Sequence, residues 1–121
     1  LTAGHTKGCT TWTLVAHDGG RDYNVVIVGS PNVNPGFKLV NNLKYPQIAQ
    51  DYERGFKVLK SLPCDFFLGA HGSYYGMKAK YARMKETGPN PFIDPRGYQE
   101  FVAEKYQAFR AELARQQAGA R

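Results

Sequence analysis

An unbroken apolar run, Val25-Val-Ile-Val28, closes the segment 22–28. A strand apolar on both faces belongs inside a layered protein, covered above and below, rather than on one side of a solvated sheet. Just upstream, residues 11–16 are rich in β-branched and aromatic side chains, and the intervening His17-Asp-Gly-Gly-Arg21 carries the Asp-Gly-Gly of a tight turn. The two segments are expected to form a β-hairpin whose second strand is internal.

Beyond the hairpin, shaped loops alternate with periodic segments. Residues 29–36, Gly-Ser-Pro-Asn-Val-Asn-Pro-Gly, exclude regular structure and form a long loop. From Pro46 onward, Ile48, Tyr52, Phe56 and Leu59 recur at three- and four-residue intervals, which predicts an amphipathic helix closed by Pro63. Cys64-Asp-Phe-Phe-Leu-Gly69 reads as a short buried strand, with Ala70-His-Gly-Ser73 at its C-terminal end. Met77, Tyr81 and Met84 predict a core-facing stripe on a short helix. After the Gly88-Pro-Asn-Pro91 break, Tyr98, Phe101, Val102, Tyr106, Phe109 and Leu113 mark a last helix with a frayed Ala-Gly-Ala-Arg end. The order strand, strand, helix, strand, helix, helix is α/β.

Composition limits the partners. At 121 residues, 42% hydrophobic and 21% charged, the chain fits the size of one small domain and has ordinary globular values that exclude a disordered tail. It has no window resembling a membrane span and no basic-then-apolar leader, so a soluble protein is expected, any leader lying upstream or removed. The formal charge of +6 is scattered, and acidic residues interrupt its densest group, Lys78, Lys80, Arg83 and Lys85, at Glu86. That pattern predicts a solvated basic surface and no nucleic-acid partner, while suiting mild attraction for small anions. Cys9 and Cys64 form no C-x-x-C pair; free thiols and a single disulfide both satisfy the sequence.

Two histidines sit where chemistry is commonly placed. His5, in Ala3-Gly-His-Thr-Lys-Gly8, and His71 are each flanked by small residues at loop positions, so each imidazole can face a site that the backbone approaches closely. Spacing alone leaves open whether they are metal ligands or hydrogen-bonded loop histidines, because metal sites need three or four donors and no H-E-x-x-H, H-x-H or C-x-x-C occurs. His17, beside the hairpin turn, is expected at the surface.

Gly4-His5-Thr6-x-Gly8-x-Thr10 resembles the Gly-His-Thr-x-Gly zinc-ligand loop of the metallo-β-lactamase superfamily, and Phe67-Leu-Gly-Ala-His71 resembles its last histidine ligand. Val33-Asn-Pro-Gly36, Tyr45-Pro46, Asp51-Tyr52, Leu62-Pro-Cys-Asp65 and Asn90-Pro-Phe-Ile-Asp-Pro95 are similar, in order and spacing, to the C-terminal half of class B β-lactamases of the third subclass. The resemblance implies that residues 1–121 are the C-terminal half of one αββα sandwich, residue 1 not being the biological start. The N-terminal half, with its His-x-His-x-Asp-His motif, would be the partner of this chain. It further implies a site of two zinc ions, with His5 at the first and His71 at the second, and hydrolysis of β-lactam antibiotics by the complete protein in the periplasm or outside the cell. Ser30 and Asn32 would contact the substrate, a loop-capping hydroxyl being the other reading of Ser30. No other residue of this chain would be catalytic.

Departures from the pattern sharpen the comparison. Glyoxalases, lactonases and nucleases of the superfamily generally place a metal-bridging aspartate where this chain has Ser30, which weakens the lactonase and thioesterase alternative. Phe37 stands where members often have a tyrosine, and Tyr98 where several have the cysteine that pairs with the one in Leu-Pro-Cys, which favours a free Cys64. With two of six protein ligands, the chain alone is expected to bind zinc weakly and to lack activity. A non-catalytic fragment that self-associates through an uncovered sheet face is the remaining alternative.

Overall fold

The computed structural model describes residues 1–120. Strands β1 (Trp12–Asp18) and β2 (Arg21–Val28) form the expected antiparallel hairpin, and β3 (Phe66–Gly69) adds parallel to β2, giving the order β1-β2-β3. Gly19 and Gly20 make the turn at φ 57° and 74°, the left-handed pair that matches the twist of a two-residue hairpin. Between β2 and β3 the chain crosses over through α1 (Ile48–Ser61). After β3 come a 3₁₀ turn (Gly72–Tyr74), α2 (Met77–Arg83) and α3 (Pro95–Gly119). Among the described residues no helix is long and apolar enough to cross a membrane.

Strand geometry sorts the sheet into two faces. Val26, Val28 and Phe67 lie on one and pack against Ile48, Tyr52, Phe56 and Leu59 of α1 and Tyr98, Phe101, Val102 and Phe109 of α3. Aromatic rings dominate this layer: Phe109 lies 5.2 Å from Tyr52 and 5.7 Å from Phe56, and Phe67 lies 5.4 Å from Phe101. Each such side chain contributes about 1.5–3 kcal/mol by leaving water. By register, Trp12, Leu14, Val25, Ile27, Phe66 and Leu68 share the opposite face. That face is apolar too, as the Val25–Val28 run requires, but among the described residues no helix covers it: Trp12 is 66% exposed and Leu14 48%.

Local differences from the sequence reading have identifiable causes. Helix α1 starts at Ile48, because the Ile48 amide still donates to the Tyr45 carbonyl (3.1 Å) and Pro46 belongs to that turn. Strand β3 starts at Phe66, since Asp65 docks on β2 through both its amide and its carboxylate, each 2.8 Å from the backbone of Asn24. The last helix runs to Gly119, into the end expected to fray, of which Arg121 lies outside the described residues. The stripe on α2 is corrected outright: Met77, Tyr81 and Met84 are exposed, and the buried residue of α2 is Lys80.

Lys80 explains that inversion. Its Nζ lies 2.9 Å from Asp94 Oδ2, as an ion pair without a well-aligned hydrogen bond, and over the rings of Phe67 and Tyr75 at 5.3 and 5.9 Å. Asp94 in turn caps α3 by accepting from the Gly97 amide at 3.0 Å. A buried ammonium held by one carboxylate and two aromatic faces fixes which side of α2 turns inward. Both cysteines are free, and burial, reinforced by Asp65, pushes the Cys64 thiol up to about 12. Tyr98 instead donates to the Leu59 carbonyl (2.5 Å).

Partial burial pushes the Asp94 carboxyl up, but Lys80 and the Gly97 amide outweigh it and hold the group below its ordinary 3.8. A depressed folded value adds stability above the unfolded value that is lost as pH falls through the folded one. Asp94→Ala, which removes a cap and strands Lys80, is expected to cost about 2–3 kcal/mol in urea titrations at pH 7, Asp94 being partly solvent-screened. The gap from wild type should narrow below pH 4.

Candidate metal and substrate site

Parallel pairing places Val28 beside Gly69, and β1 enters antiparallel with Trp12 opposite Ile27. Residues 1–11, 29–47 and 70–76 therefore leave the sheet at one edge. All four candidate residues, His5, Ser30, Asn32 and His71, are on these segments.

The His5 loop closes on itself through Thr2 N–H to Cys9 O (2.9 Å) and Gly4 N–H to Thr6 O (3.0 Å). Gly4 adopts φ 147°, and a Cβ there would lie 2.8 Å from the Tyr52 ring, so glycine is what lets the chain cross that ring and present the next residue. His5 Nδ1 is 2.8 Å from the Asn32 carbonyl. A carbonyl only accepts, so Nδ1 carries the proton and the neutral ring keeps its lone pair on Nε2, the arrangement that metal-binding histidines use. Tyr52 Oη donates to the same carbonyl at 2.7 Å, while burial raises the Tyr52 pKa and keeps the phenol protonated. Phe37 lies 5.3 Å from the His5 ring; Gln116 of α3 pins its loop, donating to Phe37 O (2.8 Å) and accepting from Leu39 N–H (2.7 Å).

On the other side, His71 precedes the 3₁₀ turn and is exposed. The Tyr74 amide donates to the His71 carbonyl (3.0 Å), and the two rings meet edge to face at 5.2 Å. Tyr74 Oη donates to Ser30 Oγ (3.1 Å) and accepts from Asn32 Nδ2 (3.3 Å). Contacts through Tyr74 and Asn32 thus join all four candidates. His17 lies apart, exposed and paired with Asp22. Sequence reasoning missed Tyr74 and the Tyr52 hydroxyl: periodicity marks an aromatic ring as core and is blind to its polar tip, although the Gly-Ser-Tyr-Tyr following His71 was a signal.

Two histidines do not complete a metal cage. Among the described residues no group of three or more His, Cys, Asp or Glu side chains is gathered. A cavity of 590 Å³ opens beside His5, lined by Phe37, Lys38, Asn42, Lys44 and Ile48 among others. With two lysines and no carboxylate on its wall, it favours an anionic ligand.

No family model matches the chain. Solved structures do. The FEZ-1 metallo-β-lactamase of Legionella gormanii is 48% identical over 97% of this chain and 45% of its own, with a TM-score of 0.94. BJP-1, a subclass B3 metallo-β-lactamase of Bradyrhizobium japonicum, is 37% identical over 99% and 45%, with a TM-score of 0.89. LRA-12, a class B3 di-zinc enzyme from an Alaskan soil metagenome, is 27% identical over 91% and 42%, with a TM-score of 0.81. The chain belongs to the metallo-β-lactamase family, its fold matching a fragment of that family's fold. Its relatives within the family are of class B3, and it spans less than half of their length.

Because Gly4 needs both a positive φ and room for Tyr52, Gly4→Ala is expected to destabilise the protein by about 2 kcal/mol. Denaturant titration measures the loss, and NMR of the His5 ring should report its displacement.

Proposed function

We propose that residues 1–121 are the C-terminal half of one metallo-β-lactamase domain, and that the complete protein hydrolyses the β-lactam ring of penicillins, cephalosporins and carbapenems with two zinc ions. The observation that carries this reading is the His5 imidazole, oriented by the Asn32 carbonyl with Nε2 free, at the sheet edge that also bears His71. The donor chemistry fits zinc in part: His5 would serve the first ion and His71 the second, the remaining ligands coming from the absent half. Bound zinc supplies Lewis acidity and a water acidic enough to attack a carbonyl at neutral pH.

This chain's own residues would do the rest. Ser30 and Asn32 would hold the substrate, and the lysine-walled cavity beside His5 would draw in its anionic groups. Phe37 shields one face of His5 but has no hydroxyl to help a developing oxyanion, which leaves that task to the metal centre. The open face of Trp12 and Leu14 supports an absent layer as partner; burying what these two side chains still expose would contribute about 2–3 kcal/mol. Location in the periplasm or outside the cell follows from the antibiotic substrate. Ser30, in place of a metal-bridging aspartate, favours lactams over lactones and thioesters. The exposed face also favours a second reading for the isolated chain, a non-catalytic self-associating fragment.

The complete protein should turn over a carbapenem, lose that activity to a chelator and regain it with zinc. The isolated chain is expected to bind zinc weakly, to self-associate in light scattering and to give no measurable turnover. Hydrolysis of lactones or thioesters by the complete protein, with no action on any β-lactam, would overturn the assignment.

A further inference from the structure

Tyr74 has no role in the proposed hydrolysis, yet its hydroxyl stands between Ser30 and Asn32. The Asn32 Nδ2 amide only donates, so the Tyr74 oxygen accepts there (3.3 Å) and spends its single proton on Ser30 Oγ (3.1 Å). With Tyr74 donating to Ser30, the chain runs from Asn32 to Tyr74 to Ser30. Since Ser30 Oγ accepts from Tyr74, its own proton is left for an acceptor on the open side.

We infer that Tyr74 is a positioning residue, which aims the Ser30 hydroxyl at a carboxylate carried by the substrate. A free serine hydroxyl samples three staggered rotamers; holding it in one lowers the cost of ordering it when the anion binds. The ring is itself immobilised: it lies 5.1 Å from Phe101 of the core, and a Cβ on Gly69 would fall 2.9 Å from it. His71 packs on its edge. Tyr74→Phe therefore removes the hydroxyl and leaves every ring contact in place.

The inference rests on the β-lactam hydrolase reading, and the test separates the two. Steady-state kinetics of the complete, zinc-loaded protein are compared for a β-lactam with a free ring carboxylate and for its methyl ester. Tyr74→Phe is expected to raise KM for the acid about fivefold, the worth of one ordinary hydrogen bond, with zinc content unchanged. The ester, lacking the anion, should show no such increase. Ser30→Ala should raise KM for the acid at least as much, and Tyr74→Phe should add nothing in its background. Equal effects on acid and ester, no effect on the acid, additivity with Ser30→Ala, or loss of zinc from Tyr74→Phe would each overturn the positioning role. A complete wild-type protein that hydrolyses no β-lactam would instead overturn the hydrolase reading, and this inference with it.

Discussion

Parallel pairing of β2 with β3 is the constraint that arranges the rest of the molecule. It sets Val26 beside Phe67 in the core and Val28 beside Gly69 at the edge, so the Ser30 and His71 segments leave the sheet as neighbours. Four residues of β3 are a short ladder, and the register is reinforced at both ends. At the start, the Asp65 amide and carboxylate engage the backbone of Asn24; at the finish, the Ala70 amide donates to Val28 at 2.9 Å. A slip of one residue would turn Phe67 out of the aromatic core and carry His71 to the wrong side of its turn.

Core packing and site geometry meet at a single atom, the carbonyl oxygen of Asn32. Tyr52, stacked within the aromatic layer, and His5, in the loop above it, both donate to that oxygen. With both lone pairs used, the carbonyl cannot move without leaving a donor unsatisfied, one of them on a buried tyrosine. The orientation of an imidazole on a loop is thus governed by a helix face of α1. Gly4 belongs to the same unit, because the chain reaches His5 only by crossing the Tyr52 ring.

Much of this was legible in the sequence, for reasons that also explain what was not. The hairpin, α1 and β3 are written in turn chemistry and periodicity, which act locally and match the local structure. Helix α2 shows where periodicity fails: seven residues supply too little apolar area to set an orientation, and one buried Lys80 beside Asp94 overrides Met77, Tyr81 and Met84. His5 and His71 drew notice as loop histidines between small residues, but their proposed metal role, like the substrate role of Ser30 and Asn32, comes from a family resemblance, because spacing leaves ligand and loop roles open. Tyr74 was marked only by the Gly-Ser-Tyr-Tyr after His71, and its partners stayed hidden because its hydrogen bonds span 42 and 44 positions, a distance that no local pattern encodes.

The two faces of the sheet divide the labour. Much of what orients His5, Ser30 and Asn32 comes from the covered face, through Tyr52 of α1 and through Tyr74, whose ring packs on Phe101. The uncovered face is apolar at Trp12, Leu14, Ile27 and Phe66, where a solvated sheet would carry polar residues. On the proposed function, the missing layer that buries this face is also the one that brings the remaining metal ligands. One burial event would then both remove apolar surface from water and complete a cation site to which His5 and His71 would contribute. Coupling of that kind makes metal affinity a reporter of domain assembly, because two imidazoles alone lack the charge and the coordination number to hold zinc firmly.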